Sequence, residues 1–278
     1  MSLEMSVDGK VIAISGVSSG IGRAAARALA GSGAFVVGIA RRQERVAEIA
    51  QALRDDGHQM TPVVGDVTQP EDCKRFVETA VSEHGRLDAL INNVGGPGVP
   101  TYVPFEKVSP EDFDNLVALN LKSAFFCAQA AIPHMRRQGQ GSIVNVSSVV
   151  GTQAMALQPV YAPAKAALDH LSRCLAIEYL NDGIRVNTLV IGGAMTGQSA
   201  RALTEMAAAL DTPPPTAETL PASVQGTPMD EIVDALTFLC SDQSRGINAA
   251  AITVDQARSA GAVFSAALMD ALTGKWTR

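Results

Sequence analysis

The chain alternates short, almost wholly apolar runs with longer segments of helical period. Residues 11–15, 34–40, 60–64, 89–92, 142–147, 185–190 and 251–254 read as strands. Between them, residues 23–32, 43–55, 71–84, 112–136, 161–180 and 230–240 place apolar side chains at helical intervals, as the buried stripe of a helix requires. Strands that are apolar at nearly every position are covered on both faces. Their alternation with helices predicts an α/β fold: a doubly wound parallel sheet (Rossmann fold) in three α/β/α layers, wound by right-handed crossovers. No internal repeat or linker of disordered composition breaks the pattern, so a single domain over residues 5–257 is expected. Residues 193–228, with a Thr-Pro-Pro-Pro-Thr run at 212–216, form the main irregular insert and read as a lid. In the tail, residues 258–278, Val263, Phe264, Ala267, Leu268, Ala271 and Leu272 fall on one helical stripe. That stripe packs either on its own core or on a neighbouring subunit.

Composition narrows the partners. Twenty-two Lys and Arg against 28 Asp and Glu leave a net charge of −6 with no basic run, which argues against nucleic acid. Residues 138–164 carry no charge, but Gly139, Gly141, Asn145, Ser147, Ser148, Gln153 and Pro159 rule out a membrane span. They fit a buried strand leading into a site. The first ten residues contain no apolar run of the secretory kind. The four cysteines (Cys73, Cys127, Cys174, Cys240) lack metal spacing and read as reduced core thiols, so a cytoplasmic location is expected. His58, His84, His134 and His170 are scattered, and no metal is expected.

Between the first strand and first helix lies Ser15-Gly16-Val17-Ser18-Ser19-Gly20-Ile21-Gly22. Glycines permit a tight turn and close backbone approach to a pyrophosphate, and a helix N-terminus offers free N–H groups and a favourable dipole. The GxxxGxG spacing resembles the TGxxxGxG of short-chain dehydrogenases/reductases, with Ser15 for Thr. Asp66-Val67 resembles that family's adenine-contacting pair, and Asn92-Asn93-Val94-Gly95 its NNAG. Ser148, Tyr161 and Lys165 match its Ser…Tyr-x-x-x-Lys pattern, and Asn120 the Asn of its central helix. The likeness covers about residues 7–257.

The resemblance implies a dinucleotide held by Gly16, Ser18, Ser19, Gly20, Ile21, Gly22, Asp66, Val67, Asn93, Val94, Gly95, Gly192 and Thr196, with Tyr161 and Lys165 on the nicotinamide ribose. An acid closing the second strand would select NAD. Here Ala40 stands there, followed by Arg41 and Arg42, whose guanidinium groups pair with a 2′-phosphate. NADP(H) is therefore favoured over NAD(H).

Tyr161 and Lys165 share one helical face, and a neighbouring ammonium is expected to make the phenol more acidic. Tyr161 is then the acid/base, Ser148 rather than Ser147 positions the substrate oxygen, and Asn120 holds a water linking Lys165 to solvent. Ile191 replaces the family's Pro before Gly192, and Gln256-Ala257 its closing glycines. The expected substrate is a neutral, partly apolar ketone or secondary alcohol, walled by residues 96–104, 149–160 and the lid, with Val103, Met155, Leu157, Met195, Leu203 and Met206. A 3-oxoacyl-[acyl-carrier-protein] reductase, with Arg136 and Arg137 receiving an acidic carrier, and a catalytically silent dinucleotide-binding regulator are the alternatives. A homodimer or homotetramer through the two long helices is implied.

Overall fold

The computed structural model describes residues 6–98, 101–194, 196, 200, 201, 203–205, 207, 213, 226–257, 259 and 260. Seven strands form one sheet: β1 (Val11–Ser15), β2 (Phe35–Ala40), β3 (Met60–Val64), β4 (Ala89–Asn92), β5 (Gly141–Ser148), β6 (Ile184–Ile191) and β7 (Ala251–Val254). Their order is β3-β2-β1-β4-β5-β6-β7, and every pairing is parallel. The helices are α1 (Gly20–Gly31), α2 (Gln43–Asp55), α3 (Pro70–His84), α4 (Pro110–Val117), α5 (Ser123–Gln138), α6 (Tyr161–Glu178) and α7 (Met229–Cys240).

Alternate residues of one strand feed opposite cores. Ile12 and Ile14 of β1 join Ile91, Val144 and Leu189 beneath α1, α2 and α7. Val11 and Ala13 join Leu90, Ile143 and Val186 beneath α3, α5 and α6. A strand side chain points to each face in turn, so burial on both faces demands apolar residues at successive positions. This is why the apolar runs were legible as strands.

The expected helix over 112–136 begins earlier and is not uniform. Ser109 caps it, its hydroxyl accepting from the Asp112 amide at 3.0 Å, and Pro110 follows in the first turn. Between α4 and α5 the backbone widens into a π turn, Ala118–Lys122. By length and apolar content the whole run Pro110–Gln138 would pass for a spanning helix. Yet Cys127, Ala131 and Met135 are buried in the second core, as a core helix requires. Cys73, Cys127 and Cys240 are buried as expected, whereas Cys174 is exposed on α6.

Candidate active site

The strand order reverses between β1 and β4, and the crevice beyond their C-terminal ends is where such a sheet binds ligands. Ser15, in place of Thr, binds the two ends together. Its hydroxyl accepts from the amides of Asn93 (3.0 Å) and Val94 (3.1 Å), and the Asn93 carboxamide donates to its carbonyl (2.9 Å). Gly16 and Gly20 hold φ of +80° and +54°, which a side chain resists. A Cβ on Gly22 would collide with the Gly16 carbonyl oxygen. Ser19 is extended and makes no side-chain cap, and the first turn of α1 holds no acid. Such a helix start favours an anion. Ile21 packs on the first core, and Val94 lies against Gly16.

Arg41 and Arg42 are exposed where β2 gives way to α2. Arg42 donates to the Ser18 hydroxyl at 3.3 Å, and Arg41 stands 3.8 Å from Asp66. The other Asp66 oxygen accepts from the amide and hydroxyl of Thr68. Val67 is buried beneath this turn. Ser18, Arg41, Arg42 and Asp66 thus form one polar rim beside the uncapped helix. The donor set fits a nicotinamide dinucleotide, with the pyrophosphate at the start of α1 and the ribose near the polar rim. Across the cradle, the Thr196 methyl would lie 3.3 Å from a Cβ on Gly20. Gly192 serves packing: a Cβ there would collide with Asp255 at the end of β7.

The candidate reacting centre lies at the same edge of the sheet. Ser148 ends β5, its hydroxyl accepting from the Val150 amide at 3.4 Å. Tyr161 opens α6, and the Lys165 ammonium lies 5.9 Å from its ring centre, donating to the Val146 carbonyl at 2.9 Å. Asn120 sits in the π turn, a distortion that recurs at functional sites. Its carboxamide accepts from the Gly96 amide (2.8 Å) and donates to the carbonyls of Gly96 (2.9 Å) and Leu116 (3.0 Å). The Asn120 side chain therefore fastens the loop after β4 to the central helix. Both Asn120 Oδ1 and Lys165 Nζ lie 2.8 Å from where a Gly95 Cβ would be. Gly95 is required because its missing side chain is what lets these two groups face each other.

The electrostatics correct the expected acidic phenol. Burial pushes Tyr161 up to about 12, with the Ser148 hydroxyl acting in the opposite direction. The same burial pushes Lys165 down to about 8, opposed by the Asp169 carboxylate one turn along α6. In this state Tyr161 is a protonated donor, able to give a proton to a carbonyl oxygen.

One residue near the centre, Asp169, escapes the sequence reading; Gln158 lies in the expected wall without being singled out, and Ser147 is set aside there in favour of Ser148. Asp169 is buried one turn beyond Lys165, and burial raises its carboxyl above the usual range. The Ser147 hydroxyl and both Asp169 oxygens lack a hydrogen bond of ordinary geometry. Gln158 is also buried, and its carboxamide oxygen has no partner. The available signals were the i,i+4 spacing of Lys165 and Asp169 and the placement of Gln158 three residues before Tyr161.

A cavity of about 180 Å³ adjoins Tyr161. Val103 and Leu157 line it as expected, joined by a bond from the Val103 amide to the Leu157 carbonyl (2.8 Å). Leu116 and Leu119, which flank and enter the π turn, also line it. Met155 packs with Val149 and Val150 in a small core instead. The two ends of the insert meet where Ala194 bridges Thr227, and Glu205 accepts from the Thr101 amide at 2.8 Å. Met195, Met206, most of the expected lid and nearly all of the tail lie outside the described residues. Beyond β7, Gln256 and Ala257 hold φ of +52° and +62°, so the backbone keeps a course suited to glycine. No cluster of metal-ligating side chains occurs among the described residues.

Comparison with known proteins agrees with this geometry. A cis-4-hydroxycyclohexanecarboxylate dehydrogenase of Sinomonas cyclohexanicum is 33% identical, over 88% of this chain and 95% of the relative. A 3-oxoacyl-[acyl-carrier-protein] reductase of Thermotoga maritima is 32% identical, over 90% and 98%. The structure of L-sorbose reductase from Gluconobacter frateurii, complexed with NADPH and L-sorbose, superposes with a TM-score of 0.81 at 29% identity, covering 91% of this chain and 97% of that one. The family model for short chain dehydrogenases matches residues 10–207. With the parallel sheet, the glycine-rich turn and the Ser148, Tyr161 and Lys165 set in place, the chain belongs to the short-chain dehydrogenase/reductase family of oxidoreductases.

Proposed function

We propose that this chain is an NADP(H)-linked oxidoreductase that interconverts a neutral, partly apolar ketone and its secondary alcohol. The observation that best supports this reading is the gathering of Tyr161 with Lys165, whose ammonium lies 5.9 Å from the phenol ring centre, and with Ser148 at the end of β5. When bound, the dinucleotide supplies or accepts the hydride at the carbon. For each ketone reduced, one hydride reaches the carbon and one proton reaches the oxygen, giving CH–OH. Ser148 orients the substrate oxygen, and Tyr161 gives the proton to it. Lys165 places a positive charge beside the phenolate that results. Asn120, facing Lys165 across Gly95, shapes the path by which the proton returns. Arg41, Arg42 and Ser18 support the preference for the phosphorylated cofactor, and the NADPH bound by the sorbose reductase agrees with it.

The carrier-protein alternative draws on the Thermotoga relative. Its candidate docking residues are engaged elsewhere. Arg136 pairs with Asp182 at 3.2 Å, and Arg137 meets His134 at 2.7 Å. Both lie at the end of α5 that leads into the start of β5, at the opposite edge of the sheet from Tyr161.

NADPH oxidation against a panel of ketones, run beside Tyr161→Phe, tests the reading. The expected result is turnover with at least one neutral ketone, cut by about 10²-fold or more in the variant. Tight dinucleotide binding with no turnover of any carbonyl would instead establish a sensor. A clear preference for NADH would overturn the cofactor assignment.

A further inference from the structure

We propose that Gln158 reads a second polar group on the substrate, a hydroxyl, so that the natural substrate is a small hydroxyketone or diol rather than a simple ketone or alcohol. The inference rests on the assignment of Tyr161 to the reacting oxygen and extends it to the rest of the molecule in the cavity.

Gln158 lines the cavity beside Tyr161 and is 7% exposed, yet its carboxamide oxygen has no hydrogen-bond partner. Buried carboxamides are ordinarily paired; this oxygen is shut off from solvent in the unliganded protein, and a turn of the side chain on the cavity wall would bring its unspent capacity to an arriving partner. Around it the walls are mainly apolar, with Val103, Leu116, Leu119, Leu157 and Val160 among them. Thr101, Asn115 and Tyr161 also line the cavity, but none is hydrogen-bonded to the Gln158 oxygen.

The backbone is shaped to hold Gln158 there. Leu157 adopts φ of +64°, a strained conformation for a bulky residue, and the Val103 amide pins its carbonyl at 2.8 Å. Strain next to an unpaired buried amide is what a recognition element shows when it is built for a ligand rather than for stability.

The chemistry of the partner follows. A carboxamide presents an acceptor oxygen and a donor NH₂, and a hydroxyl satisfies either one. The one ionisable lining group besides Tyr161, among the described residues, is the acid Asp112, so an anionic substrate group finds no counter-charge in these walls. A cavity of about 180 Å³ admits a substituted six-membered ring or a short polyol.

The test compares cyclohexanol with cyclohexane-1,2-, 1,3- and 1,4-diols, using NADP⁺, in the wild type and in Gln158→Met. Met has a similar length and no strong polar atom. The expected result is that at least one diol exceeds cyclohexanol in kcat/KM by about tenfold or more. In Gln158→Met that ratio falls to near one. A wild-type ratio near one for every isomer, or a ratio unchanged in the variant, overturns the proposal. Calorimetric binding of the same alcohols to the protein–NADP⁺ complex provides a readout without turnover. If no alcohol is oxidised but a diol preference in binding disappears in Gln158→Met, the enzymatic reading fails and the role of Gln158 stands. If no diol binds more tightly than cyclohexanol, Gln158 has no such role. Should Gln158→Met fail to fold, Gln158→Leu replaces it under the same criteria.

Discussion

The crevice has two ends built on opposite principles. At the glycine-rich end, the free groups are backbone amides at the start of α1 and the exposed side chains of Arg41 and Arg42. At the reacting end, Tyr161, Lys165 and Asp169 are ionisable groups in low-dielectric surroundings, and each is displaced toward its neutral form. Binding a polyanion needs only accessible positive charge and free donors, which water can share. Moving a proton at neutral pH needs groups whose protonation the fold itself controls. The first end therefore costs the fold little, whereas the second stores destabilisation for chemistry.

Lys165→Met separates the two ends most sharply. Turnover is expected to fall by about 10²-fold or more. Thermal stability at pH 7 is expected to hold or rise, because an ammonium in a low-dielectric site is removed. The sign follows from linkage. Lys165 drops from 10.5 to about 8 on folding, so below about pH 8 the folded state carries the full penalty. Between about pH 8 and 10.5 the unfolded chain binds the extra proton, and wild-type stability rises with pH. Unfolding midpoints at pH 7 and pH 10 should show the variant's advantage shrinking on the alkaline side. A variant less stable than wild type at pH 7 would break the comparison.

At the nucleotide end the converse holds. Arg42→Ala and Arg41→Ala should each raise the KM for NADPH by about tenfold while leaving that for NADH and the unfolding midpoint nearly unchanged. Equal losses with both cofactors would mean that these guanidinium groups read no 2′-phosphate.

Asp169→Asn sharpens the reacting end. The Asp169 carboxylate raises Lys165 against the stronger effect of burial, so its removal lowers Lys165 further. Ketone reduction, flat at neutral pH, is expected to decline above about pH 8 as Lys165 loses its proton. In the variant that alkaline limb moves to lower pH, a several-fold effect near pH 8. A limb that stays in place, or moves upward, argues that Asp169 acts only in packing. The smallest effect belongs to neither end. Ala257→Gly relieves a left-handed residue and should add roughly 0.5–1 kcal/mol, read as a higher denaturant midpoint without change in turnover.

The fold was legible because strand burial on both faces leaves a strong local signature. β1, β3, β4 and β7 were read to the residue, as was α2. Helix starts were less legible where the signal is weak. Glycines obscured the start of α1 at Gly20, although Pro70 and Ser109-Pro110 did carry the punctuation of helix starts. The π turn at Ala118–Lys122 left no recognisable mark, since it is set by how the central helix packs against the loop after β4.

The site divides in the same way. The order of residues along the chain determined which groups meet at the crevice, because a parallel sheet gathers its βα turns at one edge and the glycine and Tyr-x-x-x-Lys spacings are local. It did not determine their charge states. The expected acidic phenol is raised instead, Lys165 is lowered, Asp169 joins the site unannounced, and Gln158, within an expected wall, proves buried and unpaired. Desolvation is the sum over every neighbour that excludes water, and those neighbours come from segments distant in sequence. Only the tertiary structure holds that sum.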